Sequence, residues 1–132
     1  MTITYGTPLR AAILDAAAAL FDGGTLSLFG GTRVGSPAVA APATPLVVVK
    51  LPLQAYRPAA EGEALIAGDW TGTALRSGDA TWFRLADRSA ALRIDGSVSG
   101  PGGGGDLILT TTSITTGEVV RVIACTLSGG AG

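Results

Sequence analysis

The sequence contains no histidine and a single cysteine, Cys125. Histidine is the commonest metal ligand and the usual general base near neutral pH, so its absence removes most hydrolase and metalloenzyme chemistry from consideration. One cysteine makes no internal disulfide, and within the apolar run VVRVIACTL it reads as a small buried hydrophobe. Charge is also scarce. Asp, Glu, Lys and Arg make up 14% of the 132 residues, well below the roughly one quarter usual in soluble domains. The surface is therefore expected to consist largely of Gly, Ala, Ser and Thr, or to be partly covered by a partner. Nine basic residues against ten acidic ones leave a net charge of -1 and no basic run. Nucleic acid is not an expected partner, because phosphate neutralisation needs a clustered cationic face. Eight of the nine basic residues are Arg, with Lys50 the exception, a bias that bidentate interface pairing and GC-rich coding both produce. No long hydrophobic run is present either. Residues 11–21 are apolar but short, interrupted by Asp15 and preceded only by Arg10, so neither a signal peptide nor a membrane span is expected.

What remains is a strongly apolar chain, 47% hydrophobic, with enough burial capacity to offset the entropy of ordering. Its length fits one domain, residues 1–132. Residues 1–6 form a possible N-terminal arm of strand formers. Thr7-Pro8 then reads as an N-cap with Pro at the first helical position, and a helix over 8–21 follows, with Leu9, Ile13, Ala16, Ala17 and Leu20 on one face and Gly23-Gly24 as its stop.

Strand signals dominate the rest. Residues 25–29 alternate cleanly, and residues 34–44 carry Pro37 and Pro42 in an extended surface loop. Residues 46–53, LVVVKLPL, read as a strand buried on most of both faces, and 54–63 as a second proline-containing connection. Short strands are expected at 64–67 and 71–76. Residues 81–98 read as a β-hairpin turning at Asp87-Arg88-Ser89, with Leu92, Ile94 and Val98 filling one face and Arg84, Arg93 and Asp95 on the wet one. The run GPGGGG at 100–105 reads as a flexible hairpin loop, since no Lys-Ser or Lys-Thr and no helix follow it as a phosphate cradle requires. A strand over 106–112, a Thr-rich turn over 113–117, a last strand over 118–127 and a frayed tail at 128–132 complete the chain. In that last strand Val120, Val122 and Ala124 share one face, and Val119, Ile123 and Cys125 the other. The fold expected is mainly β, an antiparallel β-sandwich or jelly-roll-like single domain with one N-terminal α-helix.

The chemistry on offer is thin. Ten carboxylates would permit a paired-carboxylate glycosidase, but Asp22, Asp69, Asp79, Asp87 and Asp106 all sit in turn contexts that local backbone hydrogen bonds explain. A Ser-Lys pair has only Lys50 to draw on, and no EF-hand ladder of Asp or Asn exists. No catalytic, cofactor-binding or metal-ligating residues are therefore assigned, and the protein is not expected to be an enzyme. Trp70, Trp82, Tyr5 and Tyr56 read as core or interface anchors.

Three stretches together resemble a family of small β-rich structural proteins of tailed bacteriophages. They are the helix running into GGTLSLFGGTRVGSP, the hairpin TWFRLADRSAALRIDGSVS, and the closing GGDLILTTTSITTGEVVRV. The resemblance implies a non-enzymatic virion component of the head decoration or cement type. Such a protein would bind the major capsid protein on the outer surface of the head and associate with itself as a dimer or trimer, without nucleic acid, membrane or cofactor. Candidate contact segments are residues 1–6, 34–44 and 54–60, with Tyr5, Arg33, Pro37, Pro42, Tyr56 and Arg57 as contacts, Arg and Tyr being enriched at hot spots. The alternative is a tail- or fibre-associated protein that touches a host receptor through Trp70 and Tyr56 in one concave patch.

Overall fold

The computed structural model describes residues 7–33, 35–36, 38–39, 42, 44–58 and 63–128. The elements in chain order are α1 (Thr7–Ala19), β1 (Thr25–Phe29), β2 (Val47–Lys50), β3 (Glu63–Ala64), β4 (Thr71–Thr73), β5 (Gly78–Asp79), β6 (Trp82–Ala86), β7 (Arg93–Ser99), β8 (Leu107–Leu109), β9 (Ser113–Ile114), β10 (Val119–Cys125) and β11 (Leu127–Ser128). Among the described residues the chain is mainly β with one short helix. Seven strands form a mostly antiparallel sheet in the order β2-β1-β6-β7-β8-β10-β4, and the pairs β11-β3 and β5-β9 flank it.

Alternation along β1 organises the interior. Leu26 sits opposite Val49 of β2 and Leu85 of β6, and Leu28 opposite Val47 and Phe83. All six point into the same core cluster, where full burial of each Leu or Val stabilises by roughly 1.5–3 kcal/mol. The end strands then meet: Val47 bridges Ala74 just beyond β4, and the Leu75 amide donates to the Leu46 carbonyl at 2.7 Å. The sheet is thereby nearly closed. Position 72 permits this approach, since a Cβ there would lie 2.7 Å from the Val48 carbonyl oxygen and 3.0 Å from Val47 Cγ1.

The helix starts at Thr7 as the Thr-Pro signal predicts, but its buried face is rotated from the expected one. Leu14, Ala18 and Phe21 enter the core, whereas Ala16 is exposed and Leu20 is 53% exposed. Phe21, the largest apolar side chain near the helix end, sets the face with partners at i−3 and i−7. The last turn tightens through the bonds Leu20 N to Ala17 O and Phe21 N to Ala18 O, and Gly23 leaves it at φ 67°.

Other expectations give way for identifiable reasons. β2 is only four residues long and alternates, with Val48 39% exposed, because one side of a closed sheet faces outward. The glycine run does not turn a hairpin: it joins β7 to β8, which pair in parallel as Val98↔Leu107 and Ser99↔Ile108. Parallel neighbours usually need a crossover of about a dozen residues or more. Seven suffice here because Gly102 and Gly104 adopt φ of 79° and 78°, and the Gly105 amide folds back onto Ser99 Oγ at 2.9 Å. Residues 113–114, expected in a turn, form β9 against β5. In β10 a bulge between Val122 and Ala124 shifts the register, so Cys125 joins Val120 and Val122 inside while Ile123 points out. Leu92 is exposed beside the hairpin turn, where Asp87 Oδ1 accepts from the amides of Ala91 and Leu92. No helix among the described residues is long and apolar enough to cross a membrane.

If closure rests on the missing Cβ, Gly72→Ala should cost about 1–3 kcal/mol in urea unfolding. Gly35→Ala, at a position with nothing within 4 Å of the added carbon, should be neutral in the same assay.

Candidate interaction surfaces

The outer face of the sheet divides into a covered part and a bare part. The parity that sends Leu26 and Leu28 inward sends Thr25, Ser27 and Phe29 outward, opposite Ala86, Arg84 and Trp82 of β6. Phe29 and Trp82 are nevertheless buried, and their rings stack at 4.4 Å with an interplanar angle of 19°. Beside them Arg84 meets Asp95 of β7, its direct cross-strand neighbour, through Nε to Oδ1 at 2.7 Å and Nη2 to Oδ2 at 3.0 Å. The two side chains are 7% and 4% exposed.

Arg84, assigned from sequence to a wet face, is instead sealed. Its Nη2 also donates to the Ser36 carbonyl at 3.3 Å, on the proline-bearing connection between β1 and β2. Its guanidinium lies 5.9 Å from the Trp82 ring centroid. The hydrogen bond to Asp95 holds the Arg84 pKa above its ordinary value, against the opposing pull of burial. Trp82 Nε1 has no hydrogen-bond partner among the described residues.

The bare part lies across β2, β4 and β10. Continuing the Val47–Ala74 register places Val48 beside Thr73, which pairs with Val119. The next row is Lys50, Thr71 and Arg121. Val119 is 72% and Ile123 48% exposed, and Arg121 Nη2 meets Asp69 Oδ1 at 2.9 Å in an exposed pair. This is a β-branched surface with few charges. Its signal was present in the sequence: Lys50 and Arg121 mark the outward parity of their strands, and Val48, Val119 and Ile123 share it.

The predicted contacts are distributed differently. Tyr5, Pro37 and the 1–6 arm lie outside the described residues. Arg33 and Pro42 are exposed on the β1–β2 connection, and Arg57 is exposed on the β2–β3 connection. There Arg57 and Pro58 border an open groove of about 410 Å³ against Asp15, Ala18 and Asp22. Tyr56 is a correction. It is 4% exposed, bridged to Ile66, and edge-on to Trp70 at 5.3 Å, so it is a core residue that reaches the surface only at the wall of that groove. Trp70 is fully buried as well, its Nε1 donating to the Ala55 carbonyl at 3.2 Å. The concave aromatic patch of the receptor-binding alternative is therefore not on the surface.

Tyr56 Oη points to Cys125 Sγ at 3.7 Å, and burial holds the phenol well above its ordinary range. Burial likewise pushes the Cys125 thiol up to about 11. Among the described residues no group of three or more Cys, Asp or Glu converges as a metal site. No family model, curated protein or solved structure matches the chain.

Two outcomes follow from the buried groups. Asp95→Ala, which strands the Arg84 charge, should cost about 3–5 kcal/mol, and the double change Arg84→Met with Asp95→Leu should recover most of it in urea titrations. Cys125 should resist iodoacetamide in the native protein at pH 8 and react at the rate of a free thiol in urea.

Proposed function

We propose that the protein is a non-enzymatic structural component of a bacteriophage particle, a decoration protein that associates with itself and binds major capsid subunits on the outer surface of the head. The observation that carries this reading is the bare face formed by Val48, Thr73, Val119 and Ile123 on a nearly closed sheet. Such a face loses little conformational entropy on docking, because β-branched side chains are already restricted and the sheet is held by its own ladders. Identical weak contacts repeated over a symmetric shell then add by avidity. The resemblance of the helix-strand, hairpin and closing-strand segments to phage structural proteins points the same way. The scarcity of charge that the sequence shows suits this reading, since the described charges bordering the face are few: Lys50, the Arg121–Asp69 pair and Glu118 beside Val119. In this reading the closed sheet serves as the sandwich-like body, and the exposed Arg33, Pro42 and Arg57 sit on its connections as secondary contacts.

The test is a density map of the intact particle searched for this chain. Density bridging neighbouring capsomers is expected, and density confined to the tail would overturn the reading. In solution, Val119→Lys combined with Ile123→Lys should weaken binding to shells stripped of the protein by at least roughly tenfold while leaving the thermal midpoint unchanged, since neither side chain is in the core.

A further inference from the structure

β7 is seven residues long, and its two edges are treated unequally. On one side β6 pairs with Arg93 through Ser97. On the other, β8 takes up only Val98 and Ser99. The hydrogen bonds from the Val98 amide to Thr81 and from the Asp87 amide to the Leu92 carbonyl fix which backbone groups face β6. The groups of Asp95 and Ser97 consequently point away from it. The Ser97 amide is met by Asp106 Oδ2 at 3.0 Å, whereas among the described residues no strand pairs with Asp95 on that side.

The far wall of this gap is the end of β10. Cys125 is the last residue of β10 to pair with β8, opposite Leu107, and Thr126 follows it. Between the walls lies a cavity of about 230 Å³, bordered by Ile94, Asp95 and Gly96 on one side and by Cys125 and Thr126 on the other, with Phe83 and Leu85 as an apolar floor. That volume is below the roughly 300–1,000 Å³ of sites for small organic ligands. It suits one apolar side chain carried on a backbone.

We propose that this gap is a strand-addition site, which takes an extended segment of a partner protein carrying a basic residue next to an apolar one. The segment's main chain would pair with the free edge at Asp95, in line with β8. One apolar side chain would enter over Phe83 and Leu85, and the basic residue would face Asp106. Charge selects this occupant. Asp95 is neutralised by Arg84, but among the described residues the Asp106 carboxylate at the mouth is bonded only to Ser97, through the amide and Oγ, and no described Lys or Arg pairs with it. Strand addition of this kind draws affinity from main-chain bonds and specificity from alternate side chains. The site is independent of the head-binding reading: it uses a different part of the sheet and stands or falls separately.

The test uses the full chain and blocked hexapeptides of alternating Thr and Val, with Lys, Glu or norleucine at one central position. In amide-resolved NMR titrations the Lys peptide should shift Asp95, Ser97 and Thr126 and bind roughly tenfold more tightly than the Glu peptide. An N-methylated backbone should abolish binding. Asp106→Asn, which keeps an acceptor for Ser97, should remove the preference for Lys without weakening the norleucine peptide. Absence of shifts at Asp95 and Ser97 with all three peptides, shifts confined to the Val48–Val119 face, or an Asp95 amide already protected from hydrogen exchange in the free protein would each overturn the proposal.

Discussion

The structure depends on a missing methyl group. With only hydrogen on Cα, Gly72 lets β4 come close enough to β2 for the two ends of a seven-stranded sheet to meet. The Val47–Ala74 bridge and the bond from the Leu75 amide to the Leu46 carbonyl satisfy part of what would otherwise be two edges, and edges invite indiscriminate pairing with other chains. Closure also gives each strand an inward and an outward parity, interrupted in β10 by the bulge after Val122. The core from Leu26 to Cys125 is the inward set, and the candidate interaction surfaces are what the outward set leaves over.

The outward set is handled in two ways. Around Phe29, Trp82, Arg84 and Asp95 it is buried a second time, and the charge that comes with it is matched by a bidentate partner on the adjacent strand. Without that partner, a guanidinium at this depth would be strongly destabilising. Across β2, β4 and β10 nothing among the described residues covers the sheet, and the side chains are Val, Thr and Ile with a few charges at the border. Among the described residues, the contrast between a sealed half and an open half gives the sheet a back and a front.

Much of this was legible in the residues. The β1 boundaries, the hairpin of β6 and β7, the helix start and the predominance of β structure all follow from local patterns strong enough to act alone. What was illegible depends on distant partners. Which face of α1 is buried is decided by Phe21 and the strands it meets, and an alanine-rich helix has little preference of its own. Arg84 looked wet because alternation predicts parity, and parity tells nothing of what lies above a face. Tyr56 looked like an anchor because hot-spot chemistry and core chemistry use the same ring. The bulge in β10 erased the simple alternation that had grouped Cys125 with Val119. For the interaction surface, the legible signal was the parity of Lys50 and Arg121, which points to Val48, Val119 and Ile123, whereas the proline-bearing loops contributed Arg33, Pro42 and Arg57 as exposed but separate points.

The glycine-rich connection between β7 and β8 also bears on how the chain reaches this state. Parallel strand pairing is ordinarily a late event, because the partners are far apart in sequence and the loop between them must be closed first. Here Val98 and Leu107 are separated by a span that a short, unhindered backbone can close, so this parallel contact is as local as a hairpin. The slow closures lie elsewhere, in the meeting of β1 with β6, where Thr25 pairs with Ala86, and of β10 with β4, where Val120 and Gly72 are brought together across the whole central hairpin and the glycine run.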